Sequence, residues 1–124
     1  MTEIREESLA TVLGRFEIAL PAEQIEQLDR YCRLLWSWNE RLNLTRHTDY
    51  EKFATRDVVD SLALADHLDE GARVLDVGTG GGVPGVILAI VRPDLKLTAC
   101  ESVRKKFEAV HAIVRELALS IEIV

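Results

Sequence analysis

Asp76 and the glycines that follow it are the residues of this sequence best suited to hold a ligand. They stand in the stretch RVLDVGTGGGVPG, Arg73 to Gly85. Val74, Leu75 and Val77 are strand formers, and a charge inside such a run is costly unless it has a task. Gly78, Gly80, Gly81 and Gly82 then remove Cβ atoms from the turn. That opens positive φ and lets backbone amides approach a ligand closely. The helix expected next points its positive end at the same place. A strand, a glycine turn and a helix in this order suit the polar part of a nucleotide-like cofactor.

The spacing narrows the choice of cofactor. A dinucleotide fingerprint G-x-G-x-x-G can be laid on Gly80, Gly82 and Gly85, but it places Pro84 inside the motif. The register Asp76, Val77, Gly78, Gly80, Gly82 fits better. An acid two residues before the first glycine suits a ligand with a cationic end, such as the ammonium of S-adenosylmethionine. The pyrophosphate of NAD would be repelled there. The sequence therefore favours S-adenosylmethionine. The alternative is that Asp76 only ties down the glycine turn through backbone N–H bonds, and the two roles can coexist.

Glu101 ends the second expected strand, Lys96 to Cys100. It follows the glycine turn by about 20 residues, the spacing at which an acid reaches a ribose hydroxyl pair. A carboxylate accepting two hydroxyl hydrogen bonds is a sensible ribose clamp. The alternative is an acid at a helix N-terminus, with Ser102 capping a helix that begins at Val103.

The elements that must position these residues divide near Asp69–Gly71. Residues 1–70 read as a helical region. Leu9, Val12, Leu13 and Phe16 form one stripe, which Leu20–Pro21 interrupts. Ile25, Leu28, Cys32, Leu35 and Leu42 form a second amphipathic face flanked by Trp36 and Trp38. Thr48 or Asp49 can cap a further helix, whose apolar surface is Val58, Val59, Leu62, Leu64, Ala65 and Leu68. Residues 71–124 alternate strand and helix: Val74–Val77, a short helix over Val86–Val91, Lys96–Cys100, a helix over Val103–Leu117, and Ile121–Val124. The fold class is α/β, with a helical N-terminal region followed by the first half of a Rossmann-like, doubly wound sheet.

Consecutive βα units give a parallel sheet with strand order 3-2-1. Strand 1 then stands at an edge, although its apolar sequence suits a strand covered on both faces. The expectation is a truncated doubly wound domain that is prone to self-association. Composition suggests a cytoplasmic protein: a net charge of −6, 48% hydrophobic residues, a charged start MTEIREES without a signal-peptide pattern. No apolar run approaches the roughly 18 residues of a membrane span. Cys32 and Cys100 read as free thiols, and His47, His67 and His111 form no metal-ligand spacing with them.

Three segments together resemble one family. WSWNERLNLT at Trp36–Thr45, RDVVDSL at Arg56–Leu62 and VLDVGTGGGVPGVILAI at Val74–Ile90 resemble RsmG, also called GidB. SVRKKF at Ser102–Phe107 is similar to the family's segment after its second strand. The resemblance covers essentially the whole chain. It implies an S-adenosylmethionine-dependent methyltransferase acting on N7 of a guanosine in 16S ribosomal RNA of the 30S subunit. It carries Gly78 and Val83 over as cofactor contacts, giving the candidate set Asp76, Gly78, Thr79, Gly80, Gly82, Val83 and Glu101. The chain departs from the family at Asp57, where the family usually has histidine. The family also continues well beyond Val124, so the 124 residues alone are expected to be inactive.

Such a reaction needs positioning rather than a general base, because guanine N7 has a free lone pair and loses no proton. No residue is therefore assigned a catalytic role and no metal is expected. Candidate RNA contacts are Arg41, Arg46 and Arg56, with His47 behind them; the bland reading is solvated helix surface. Asn39 and Asn43 suit backbone capping, the tryptophans suit the core, and Arg104, Lys105 and Lys106 suit a solvated first turn. Two other functions remain open on sequence: a non-catalytic S-adenosylmethionine or nucleotide-binding module, and a dinucleotide-dependent oxidoreductase.

Overall fold

The computed structural model describes residues 7–124; the charged start at 1–6 lies outside them. Helix α1, Leu9–Arg15, begins where the Ser8 hydroxyl accepts the Thr11 amide. Helix α2, Ala22–Asn39, follows Pro21. It stops short of Leu42, because the Asn39 side-chain carbonyl accepts the Leu44 and Thr45 amides at 2.8 and 3.0 Å and turns the chain away. Asp49 caps the next stretch, accepting the Lys52 amide at 2.7 Å. That stretch runs without a break through α3, Tyr50–Lys52, a π-helical segment, Phe53–Val58, and α4, Val59–Ala65.

The π-helical segment corrects part of the expected apolar face. A π turn holds more residues than an α turn, so a 3.6-residue reading slips out of phase after it. Phe53, Ala54, Val58 and Ala65 are buried, whereas Val59 and Leu64 face outward. Phe16 is also exposed, since it lies just past the end of α1 with the Arg15 guanidinium over its ring.

Strands β1 (Arg73–Val77), β2 (Lys96–Cys100) and β3 (Ile121–Ile123) form a parallel sheet in the order β1-β2-β3. This matches the expected 3-2-1 arrangement and the α/β class. Helices α5 (Gly85–Val91) and α6 (Arg104–Leu117) connect the strands. In register, Val74 and Asp76 lie beside Leu97 and Ala99, and these beside Ile121 and Ile123. This face carries the core: Leu97, Ala99, Ile121 and Ile123 are buried, and Val74 packs against them. The opposite face presents Leu75 and Val77 at 59% and 75% exposure.

One apolar core joins the helices to the sheet, from Leu9 and Val12 through Leu28, Leu35 and Phe53 to α5 and α6. Helix α5 is buried from Gly85 to Ile90, which explains why its sequence shows no polar face. Arg92 ties the helical part to the sheet. Its guanidinium donates to the carbonyls of Ala65, the last residue of α4, and Leu68 and to Asp94, whose carboxylate also accepts the Gly71 amide ahead of β1. Arg92 and the Gly71 amide together hold the Asp94 carboxyl well below the usual carboxylate range.

Candidate cofactor site

The site is built at the carboxyl ends of β1 and β2, where parallel sheets place their ligands. After Val77 the chain turns through Gly78 (φ 73°), Gly80 (φ 58°) and Gly82 (φ 103°), a path that L side chains rarely follow. The Gly78 and Thr79 amides both donate to the Cys100 carbonyl, at 2.9 and 3.0 Å, which lashes the turn to the end of β2.

The four turn glycines face different surroundings. A Cβ at Gly78 or Gly80 would meet nothing within 4 Å, so these two border open space. A Cβ at Gly82 would stand 2.5 Å from Val86 Cγ2. At Gly81 it would stand 2.8 Å from Leu35 Cδ1 and 3.1 Å from the Leu44 carbonyl. Gly78 and Gly80 thus face open space, while Gly81 and Gly82 let α2 and α5 close in from behind. Val83 is half-buried and packs against the core at the far end of the turn.

Asp76 points to the covered face of the sheet. Its Oδ2 accepts the buried Thr79 hydroxyl at 2.6 Å and the Gly85 amide at 3.0 Å, at the start of α5. A Cβ at Gly85 would lie 2.8 Å from that oxygen, so the third glycine of the discarded dinucleotide register serves this approach instead. Oδ1 takes neither bond. Glu101 accepts the Gly80 amide on Oε1 at 2.9 Å and the Val103 amide on Oε2 at 2.8 Å. Glu101, and not Ser102, therefore satisfies the backbone at the start of α6, which begins at Arg104. Asp76 Oδ1 and both Glu101 oxygens keep a lone pair for a ligand, whereas Asp76 Oδ2 is already doubly hydrogen-bonded.

Several contributors escaped the sequence reading. Tyr31 is fully buried, and its hydroxyl donates to the Gly81 carbonyl at 2.8 Å. Burial raises its pKa well above the usual phenol value, with the Asp57, Cys32 and Asp76 charges adding. Its place on α2, between Leu28 and Leu35, signalled burial but not a polar partner. Asp57 is also buried, with Oδ1 2.8 Å from His47 Nδ1. Burial raises the Asp57 pKa, and His47 opposes that shift.

Arg41, Arg46 and Arg56 are exposed and form no ion pair among the described residues. Arg46 lines a shallow cleft with Asn43, Leu44 and Thr45, and Leu44 abuts Gly81 of the turn. Arg56 projects from the π-helical segment. Trp36 and Trp38 pack against the core, and Trp36 also donates its indole N–H to the His47 carbonyl at 2.9 Å. Cys32 and Cys100 are free thiols. Among the described residues there is no cluster that could hold a metal ion and no helix long and apolar enough to cross a membrane.

The family model for rRNA small subunit methyltransferase G matches residues 24–124. The chain belongs to this family. It is 42% identical to the ribosomal RNA small subunit methyltransferase G of Rhodopirellula baltica over 113 residues, 91% of this chain and 49% of the relative. The protein of the same name from Anaeromyxobacter is 44% identical over 110 residues, 87% of this chain and 51% of the relative. That from Chromobacterium violaceum is 42% identical over 107 residues, 86% of this chain and 51% of the relative. The chain spans about half the length of these curated relatives. The matched span takes in most of α2, the π-helical segment and the glycine turn, so family membership rests on the helical part as well as on the turn.

Proposed function

We propose that this chain supplies the cofactor-holding part of a methyltransferase that moves a methyl group from S-adenosylmethionine to N7 of a guanosine in small-subunit ribosomal RNA. The observation that carries the reading is Asp76 near the end of β1 and Glu101 just past the neighbouring β2, with Gly78 and Gly80 bordering open space in the turn that Glu101 fastens. An anionic, glycine-walled notch of this kind suits a ligand with an ammonium at one end and a ribose at the other. The names of the relatives support ribosomal RNA as the substrate class.

The cofactor, when bound, supplies an electrophilic methyl group. The residues of this chain orient and exclude. Asp76 Oδ1 and Glu101 offer acceptors, and Gly78 and Gly80 offer close backbone approach. Thr79, buried against Asp76, keeps that carboxylate in one rotamer. Catalysis is then positioning of two reactants, with no proton to move from guanine N7. Arg41, Arg46 and Arg56 are proposed to meet RNA phosphates, which fix register without reading sequence. The cleft beside Arg46 adjoins the glycine turn through Leu44, which supports a role for this cation close to the cofactor.

The test has two arms. Calorimetry on this chain with S-adenosylmethionine, S-adenosylhomocysteine and NAD should give heat with the first two only. Methyl transfer to 30S subunits lacking the modification, by the protein that carries this sequence, should label a guanosine at N7. Binding of NAD in preference to S-adenosylhomocysteine would overturn the cofactor assignment. A labelled base other than guanine would overturn the substrate.

A further inference from the structure

Residues 40–49 form a loop between α2 and α3 that is fastened at three points. Asn39 Oδ1 holds the Leu44 and Thr45 amides at its start. The Leu44 carbonyl and side chain press on Gly81 in its middle. At its end, His47 receives the Trp36 indole N–H on its carbonyl, donates its own amide to Thr45 Oγ1, and sets its ring against Asp57.

The last of these contacts is expensive. Asp57 is 8% exposed, and its Oδ2 is buried with no hydrogen-bond partner among the described residues. A buried carboxylate with an orphan oxygen is a worse choice for stability than an apolar residue of similar size. It sits on the π-helical segment, an interruption that places it across from His47. Among the described residues the one polar partner of its side chain is His47, while its carbonyl accepts the Ser61 hydroxyl.

We infer that His47 and Asp57 are positioning residues that hold the Asn43–Arg46 stretch against Gly81, so that the cofactor turn and the cleft beside Arg46 form one mechanical unit. The geometry stands without any ligand. What the unit is for rests on the proposed methyltransferase reading. Among the described residues no side-chain hydrogen bond joins either residue to the glycine turn. Their effect passes through the Leu44 contact on one side, and Tyr31 holds the same Gly81 from the other.

The test is amide hydrogen exchange on the full 124-residue chain, read at Leu44, Thr45 and Gly82, with the amides of α6 as internal reference. His47→Ala should speed exchange at all three by roughly tenfold relative to α6, a local opening rather than a global one. S-adenosylhomocysteine affinity should fall by a similar factor. The exchanged pair, His47→Asp with Asp57→His, restores an acid facing an imidazole and should return both readouts close to wild type. His47→Gln keeps a donor for Asp57 and provides the milder break should the alanine variant not fold. Unchanged exchange at Leu44 and Thr45 in a folded variant would overturn the inference. So would faster exchange there with Gly82 unmoved, or a folded exchanged pair that restores nothing. A wild-type chain that takes no S-adenosylhomocysteine would sink the cofactor reading and leave the exchange comparison decisive.

Discussion

The Gly80 amide donates to Glu101 Oε1 at 2.9 Å, so the turn that follows β1 is fastened to the residue that ends β2. The bond spans 21 positions in sequence and joins the two features that pointed to a cofactor. Glu101 also accepts the Val103 amide. The same carboxylate thus ties the glycine turn to the start of α6.

Glu101→Ala removes a charged acceptor from two backbone amides and from the proposed ribose hydroxyls. Binding of S-adenosylhomocysteine should weaken by about 1–3 kcal/mol, the usual range for charge-assisted hydrogen bonds. The melting temperature should fall modestly. Calorimetry paired with thermal melts checks both. A lower melting point with full affinity per folded molecule would make Glu101 a backbone tie and nothing more.

Gly80 and Gly82 should respond differently to a methyl group. Gly80→Ala meets no neighbour, so its cost is that of a left-handed alanine, about 1–2 kcal/mol. Gly82→Ala adds a clash with Val86 and should destabilise the fold considerably more. Gly80→Val keeps the open neighbourhood but forces a β-branched residue to positive φ, and it should abolish cofactor binding. Urea denaturation of the two alanine variants with equal losses would contradict the assignment of one glycine to the ligand side and the other to the core.

Asp57 makes stability depend on pH. Its pKa in the fold is raised above the ordinary 3.8, chiefly by burial, so the native state holds its proton more tightly than the unfolded chain. Stability from this group is complete below 3.8 and declines as pH rises through the raised value. Asp57→Asn cannot ionise and escapes that decline. The variant should therefore gain on wild type as pH rises from 3.8, visible in urea midpoints taken in steps toward neutrality. A variant whose midpoint falls further behind wild type over the same interval would refute the sign.

Leu75 and Val77 stand exposed on the outer strand of the sheet, a combination that invites pairing with other chains. The 124-residue chain alone should self-associate at micromolar concentration. Leu75→Lys with Val77→Thr should shift it toward monomer without lowering its melting temperature, because neither side chain joins the core. Sedimentation velocity distinguishes the outcomes, and a wild-type monomer at high concentration would contradict the expectation.

Much of this molecule was legible in its residues because the decisive signals are local. Alternation of strand and helix after Gly71, the glycine turn, the acid at Glu101 and the 3-2-1 order all follow from short-range pattern and from the connectivity of parallel strands. The motifs at Trp36–Thr45 and Arg56–Leu62 pointed to the family for the same reason. Other features depend on partners far apart in the chain. Tyr31 meets the Gly81 carbonyl 50 positions away, and Arg92 reaches back to Ala65 and Leu68. Gly81 needs its missing Cβ only because Leu35 and Leu44 arrive beside it. The π-helical segment shifted the phase of an apolar face that a regular period would place elsewhere. Residue types and spacing determined which elements form and which acids could bind a ligand. Only close packing decided which glycine faces open space, which faces the core, and which buried oxygens found partners, because those outcomes depend on contacts that local pattern does not encode.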